Sequence, residues 1–324
     1  MRLASGIAAA IGTFLVLCAG TTSAQSWPAK PVRFIVPTGP GLATDIVARL
    51  MAERMAKTLH QPFVIDNIGG AGGIVGSQTL ARAAPDGYAI MIAPASSLVN
   101  NMFQFKSLPY DPVKDFAPVA MITESGLLIA ANMDLPARTL PELVALAKAQ
   151  PGKLSWGRDA SSQVASIIGQ LLNKRAGIDT VEIPYKTTAQ MIQDVVSGRT
   201  QFIVTTLSAV ETMVKAGKLR RIALTSIRRL PSLPDLPTVA ETYPGFHMSG
   251  WLTMVVPAGT PREVVLALNR AVDAALKDKE LSDRMIQLGV GTSGAGTPES
   301  TAEFIRSQRE HFRDIVRELN IQPE

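Results

Sequence analysis

Short apolar runs and helical stripes alternate along most of the chain. Pro31 to Pro37 ("PVRFIVP") reads as a strand. From Thr44 to His60, Ile46, Val47, Leu50, Met51, Met55 and Leu59 form one apolar helical stripe. Phe63 to Asn67 ("FVIDN") is a second strand, followed by "GGAGGIVG" (Gly69 to Gly76) and a helix over about 74–84. The turn signal Pro85-Asp86-Gly87 leads into a third strand, Tyr88 to Pro94. This β-α-β-α-β order predicts parallel strands joined by right-handed crossovers.

A second run begins after about residue 126. "TLPE" at Thr139 to Glu142 has the form of a capping box and opens a helix that Pro151-Gly152 closes. Strands are predicted at 153–156, 180–185, 200–206 and 219–227, with helices at 164–176, 189–196 and up to Lys215 between them. Residues 231–244 are rich in proline and lack periodicity, which marks a crossing between domains. A strand at 251–257 follows, then a helix opened by Thr260-Pro261-Arg262-Glu263, read as a capping box with Pro at N1, and a last helix at 298–319. The simplest arrangement returns these end segments to the first unit. Domain 1 is then 25–126 plus 247–324, and domain 2 is 127–246.

The N-terminus departs from this pattern. Arg2 precedes an apolar run from Ile7 to Ala19 and the small residues Thr22-Ser23-Ala24, the form of a secretory signal peptide (1–24) cleaved near Ala24. A membrane anchor is the rival reading, but the run is shorter than the roughly 20 residues a span needs. Cys18, the sole cysteine, raises lipidation as a second rival, though Leu17 stands where such signals carry a small residue. The sequence predicts export to the periplasm of a chain without disulfides. Without Arg2 the chain has 31 basic and 27 acidic residues, a modest excess with few aromatics, which argues against a nucleic-acid surface.

Two stretches invite a nucleotide. "TGPGLATD" (Thr38 to Asp45) has G-x-G-x-x-T spacing, and Asp66 lies 22 residues past Thr44, close to a dinucleotide fingerprint. Thr44 stands where that fingerprint has a small residue, and Pro40 removes an N–H. "GGAGGIVG" lacks the Lys-Ser/Thr ending of a P-loop. What it offers is unhindered backbone N–H groups ahead of a helix, enough to hold an anion without a cationic side chain. In a parallel sheet the strand-to-helix loops share one rim. "TGPGLATD", "GGAGG" and "PASSLVN" (with Ser96 and Ser97) line one rim, and "GRDASSQ", "KTTAQ" and "TTLSA" line the other, forming a cleft for a small polar ligand. The three histidines (His60, His247, His311) have no catalytic company, and no metal-ligand spacing occurs. Asp45 either fixes its loop or meets the ligand.

Together "WPAKPVRFIVP", "ATDIVARLMAERM", "NIGGAGGIVG", "RAAPDGY", "LPYDPVKDFAPVAMI", "VEIPYK", "AGKLRRIALTS", "LPDLPTVAE" and "VPAGTPREVV" resemble the Bug (TctC-like) family of periplasmic solute receptors over nearly the whole mature chain. The resemblance implies an α/β Venus-flytrap fold of two mainly parallel sheets (type II-like), binding small carboxylates for tripartite tricarboxylate transporter subunits. It implies a monomer that needs no cofactor or metal and performs no catalysis. Thr38, Gly39, Thr44, Ala71, Gly72 and Gly73 are expected to hold one anionic group. Ser161, Ser162, Thr187 and Thr205 are expected to read the far end. Arg158 and Asp159 either pair with the ligand or are solvated loop charges. The family's usual Arg-Pro is Ile68-Gly69 here, its "GNGS" is Ala160 to Gln163, a frequent histidine is Ser166, and its "YKGG" is Tyr185 to Thr188. Rival functions are an exported nucleotide-dependent enzyme and a solute receptor used for signalling.

Overall fold

The computed structural model describes residues 27–159, 163–230, 232–287, 290–292 and 294–323. In chain order the first lobe begins with β1 (Val32–Val36), α1 (Ala43–Leu59), β2 (Phe63–Asn67), α2 (Ile74–Ala81), β3 (Ala89–Pro94), α3 (Asn101–Gln104) and β4 (Phe116–Gly126). The second lobe holds β5 (Leu128–Asn132), α4 (Leu140–Ala149), β6 (Ser155–Asp159), α5 (Gln163–Ala176), β7 (Val181–Tyr185), α6 (Thr188–Val196), β8 (Phe202–Thr205), α7 (Leu207–Lys215) and β9 (Leu219–Leu224). After α8 (Val239–Thr242) the chain returns through β10 (Ser249–Pro257), α9 (Arg262–Leu276), α10 (Lys279–Gln287) and α11 (Pro298–Leu319).

The strand orders are β2-β1-β3-β10-β4 and β7-β6-β8-β5-β9. Parallel pairing joins β1 to β2 and β3, and β6 to β7 and β8, as the β-α-β order predicts. β10 and β5 run antiparallel to their neighbours, so both sheets are mixed. The cause lies in the connections. β5 and β10 each enter their lobe from the other one, at the edge where the parallel strands end, and must run the opposite way. β4 and β5 were not foreseen, because the long apolar stretch through them has no clear period.

Thr225 ties the two crossings together. Its hydroxyl accepts from Leu127 N at 2.8 Å and donates to Met248 O at 2.6 Å. Its own N–H reaches Leu127 O, and its carbonyl accepts from Met248 N. A Cβ on Gly126 would lie 2.5 Å from Ser226 N, so the strands pass each other at backbone distance.

On one face the lobes share a single apolar core. Leu98, Phe312 and Ile315 of the first lobe and Trp156, Ile168 and Leu171 of the second belong to one buried cluster. Across this seam Arg175 of α5 pairs with both carboxylate oxygens of Glu318 at 3.2 and 2.9 Å. His247 stacks on His311 with ring centroids 3.6 Å apart, and His311 Nε2–H donates to the His247 carbonyl at 2.7 Å. On the opposite face the cores are separate: α1 and α9 cover one sheet, α6 and α7 the other. Between them lie adjoining hollows of about 250 and 360 Å³ that share Leu207, Ser232 and Ile286. The lobes are joined on one side and parted on the other.

The α4 start has Thr139 accepting from Glu142 N at 3.3 Å, while the Glu142 carboxylate accepts from Arg138 N. The expected box before α9 does not form. Pro261 occupies the N-cap position, and Thr260 spends its hydroxyl on the Pro257 carbonyl at 2.7 Å. Among the described residues no helix is long and apolar enough to cross a membrane.

Candidate ligand-binding site

The first-lobe rim is built from three β-to-α connections. Gly70, Ala71, Gly72 and Gly73 have φ of 123°, 46°, 64° and 89°, a left-handed turn that only a glycine-rich stretch adopts at low cost. Two buried side chains fix it. Ser77 Oγ donates to Gly73 O at 2.9 Å, and Asn101 Nδ2 donates to Gly72 O at 3.3 Å. With those carbonyls drawn inward, the Ala71 and Gly72 amides donate to no protein acceptor among the described residues. Gly76 lets α2 seat close by: its Cβ would be 2.8 Å from Ile68 O.

Asp45 organises the neighbouring loop. It is 2% exposed. Its Oδ2 accepts from Gly41 N (2.8 Å) and Arg49 Nε (3.0 Å), and its Oδ1 accepts from Asn67 Nδ2 (2.9 Å). Asn67 also donates to Thr38 O at 3.1 Å, which ties the first two rim loops together. Burial alone would raise the Asp45 pKa, but the hydrogen bonds from Arg49, Gly41 and Asn67 outweigh it and hold the carboxyl below its ordinary range. Of its two possible roles, the geometry supplies the loop-fixing one. Gly39 has open space around it, and Thr44 lies half-buried in the first turn of α1.

Ser96 and Ser97, expected in a loop, instead open a π-helical turn, Ser96–Asn100, running into α3. Arg309 of α11 holds that turn by donating to Leu98 O at 3.1 Å. The Ser97 hydroxyl and the Thr38 hydroxyl are both buried and unpartnered. A Cβ on Gly73 would lie 3.3 Å from Ser97 Oγ, so that hydroxyl sits against the glycine turn.

In the second lobe, Arg158 Nε pairs with Glu182 at 2.5 Å. The Ser166 hydroxyl lies 2.9 and 2.8 Å from the same carboxylate's two oxygens. Arg158 therefore belongs to a neutral network on β6, β7 and α5. Asp159 accepts from Thr188 Oγ1 at 3.2 Å. Thr187 accepts from Gln190 N and caps α6, and Thr205 ends β8, nearly buried. Ser161 and Ser162 lie outside the described residues. The rims meet at a crevice of about 20 Å³, where Ala95 and Asn100 of the first lobe face Val164 of α5.

Helix starts separate the rim from the rest of the molecule. The helices that begin elsewhere, α4, α8, α9, α10 and α11, carry Glu142, Glu241, Glu263, Glu280 and Glu299 in their first turns. That is the usual complement to the helix dipole. The rim helices α2, α5, α6 and α7 carry no acid there. At α1 the acid is Asp45, whose oxygens are engaged within the loop. The helices that follow these strand ends thus leave their positive starts without an acidic partner, a setting that suits an anion.

Asn67, Asn101, Ser77 and Glu182 are site residues that sequence reasoning missed. Alternation along β2 could have found Asn67. Its neighbour Asp66, the acid of the dinucleotide reading, instead pairs with the exposed Arg33 at 2.6 Å. Among the described residues no cluster of His, Cys, Asp or Glu could hold a metal ion.

Comparison with known proteins identifies the family and the fold. The profile of the tripartite tricarboxylate transporter family receptor matches residues 47–321. A Rhodopseudomonas palustris protein, Rpa4515, solved with adipate, is 30% identical; the match covers 92% of this chain and 100% of that one, with a TM-score of 0.76. The periplasmic binding protein BugD is 31% identical over 92% of this chain and 100% of its own, with a TM-score of 0.71. MatC from Rhodopseudomonas palustris, solved with malate, is 30% identical over 89% and 99%, with a TM-score of 0.70. The fold is that of a two-domain periplasmic binding protein, and the chain belongs to the tripartite tricarboxylate transporter receptor family.

Proposed function

We propose that this chain captures a small carboxylate in the cleft between its lobes and presents it to a tripartite tricarboxylate-type membrane transporter. The observation that carries this reading is the glycine turn with spare Ala71 and Gly72 amides at the acid-free start of α2, supported by the acid-free starts of α5, α6 and α7 at the strand ends of the other lobe. Such a site stabilises negative charge without cationic side chains. Related receptors solved with adipate and malate support the ligand class.

The Ala71 to Gly73 turn, Thr38 and Ser97 take one carboxylate, with Asp45 and Asn67 holding the loops in place. The lobes, 25–126 plus 247–324 and 127–246, close by rotation about the Thr225 crossings. The joined seam acts as the fixed side and the parted face as the mouth. The protein works as an exported monomeric binder rather than a catalyst, with its leader removed near Ala24.

A thermal-shift screen of carboxylates, amides and dinucleotides, followed by native mass spectrometry, tests this. Ligand at about 100 times its Kd adds about 2.7 kcal/mol to stability by mass action. Carboxylates are expected to raise the melting temperature of the wild type and not of Gly72→Val. Stabilisation by NAD and by no carboxylate would overturn the reading.

A further inference from the structure

One cation lies a layer behind the glycine turn. The π-helical turn Ser96–Asn100 packs between α11 on one side and the glycine turn on the other. From α11, Arg309 Nε donates to Leu98 O at 3.1 Å and its Nη2 donates to Pro112 O at 2.8 Å. On the other side, Ser97 Oγ rests against Gly73, and Asn101 Nδ2 donates to Gly72 O. Tyr110 adds a neutral tie, its hydroxyl donating to Ser97 O at 2.9 Å. A single turn of chain thus separates the guanidinium from the spare amides.

Arg309 also lacks a carboxylate partner. Arg54, Arg158, Arg175 and Arg221 are largely withdrawn from water, and each forms an ion pair. Arg309 is half-buried, and among the described residues only main-chain carbonyls accept from it. The acid that acts on it from a distance is Asp111, itself engaged by the Val113 and Lys114 amides and, at 3.6 Å, by the Lys114 ammonium. Burial pulls the Arg309 pKa down and Asp111 opposes this, yet a guanidinium stays charged at neutral pH. Arg220 is likewise held by carbonyls, those of Ala137 and Met133, but at the start of β9, the sheet edge opposite the rim. A cation drawn out of water without a counter-ion is costly to the empty protein. An anion on the other side of the turn would offset that cost, because charges interact across protein with less screening than in water.

We infer that Arg309 is a positioning residue for the anion clamp, holding the π-helical turn in place and strengthening carboxylate binding by its charge without touching the ligand. This rests on the carboxylate reading above. The clamp then needs no cation in contact with the ligand, because one stands behind it.

Two measurements on the full mature chain test this. The only cysteine, Cys18, lies in the leader, so Ser97→Cys gives a unique thiol beside the glycine turn. Its ionisation, followed by thiolate absorbance, reports the local field whether or not a ligand binds. Adding Arg309→Gln should raise the thiol pKa, Arg309→Lys should keep it near its starting value, and Tyr110→Phe, which loosens the same turn without changing charge, should move it little. Asp111→Asn, which keeps an acceptor for the Val113 and Lys114 amides, should lower it. In calorimetry without the cysteine, Arg309→Gln should weaken adipate or malate binding by roughly 3- to 10-fold, the scale of one charge acting across a layer of protein. Arg309→Lys should retain most of that affinity. A thiol pKa unmoved by both Arg309→Gln and Asp111→Asn, or an Arg309→Lys chain that behaves like Arg309→Gln, would overturn the inference and leave the carboxylate reading standing. A wild type that binds no carboxylate would overturn that reading, and with it the inferred role in binding, even if the thiol titration detects the Arg309 charge.

Discussion

The two rims that face each other across the cleft are built on different principles. In the first lobe, carbonyls are drawn inward by Ser77, Asn101 and Asn67, and amides are left over. In the second lobe the rim is made of side chains: the Arg158–Glu182–Ser166 network, the Asp159–Thr188 bond and Lys186. A backbone clamp accepts any anion of the right size and reads little else. Side chains can be exchanged singly without rebuilding a loop. In the function proposed above, the first lobe would supply the affinity common to carboxylates, and the second would be where one ligand is told from another.

The largest expected effect breaks the first rim. Gly72→Val places a β-branched residue at φ 64°. That conformation costs about 1–3 kcal/mol, so the turn reorganises. Losing two charge-assisted amide bonds should weaken carboxylate binding by roughly 100-fold or more, read by calorimetry. Asp45→Ala comes next. It leaves the Gly41 amide and Asn67 without their acceptor, and should lower unfolding free energy by about 2–3 kcal/mol in urea, with weaker binding.

The same operation on the second rim should act differently. Arg158→Met strips a partner from Glu182, which is 24% exposed in the ion pair. It should cost about 1–2 kcal/mol of stability. Affinity for monocarboxylates should change by less than roughly 3-fold, since this charge is spent inside the lobe. A large selective loss of carboxylate binding would erase the contrast between the rims.

The smallest effect concerns the seam that joins them. Burial first, then His311 and Arg175, push the His247 pKa down to about 4. Burial also lowers that of His311, against the opposing pull of its bond to His247 and of Asp314 and Glu318. A depressed folded-state pKa means the unfolded chain takes up the proton more readily between about 6.5 and 4. The pair's contribution is thus fully present above about pH 6.5 and is lost as pH falls towards 4. Melting temperatures across that range should fall less steeply for His247→Gln than for the wild type.

Much of the fold was legible in the sequence because its helices carry strong periods and its parallel strands are bounded by turn signals. The strand Phe63–Asn67 and the helix Pro298–Leu319 match the expected bounds. Period failed at β4 and β5, where burial on both faces removes the alternation that marks a strand. The glycine turn could be read as an anion site because its composition alone demands left-handed backbone. The partners that hold it could not. Asn101 lies 29 residues from Gly72, and Glu182 lies 24 from Arg158, with no local pattern linking either pair. The acid-free rim helices were open to view in the sequence, but only the sheet topology shows which helix starts share an edge.

The most direct test is a crystal structure of the protein with adipate, or with the best carboxylate from the screen. The account predicts one carboxylate within about 2.7–3.1 Å of the Ala71 and Gly72 amides and the other end at the second-lobe rim. A carboxylate seated instead in the hollow lined by Leu207, Met285 and Ile286, with the glycine turn untouched, would contradict it.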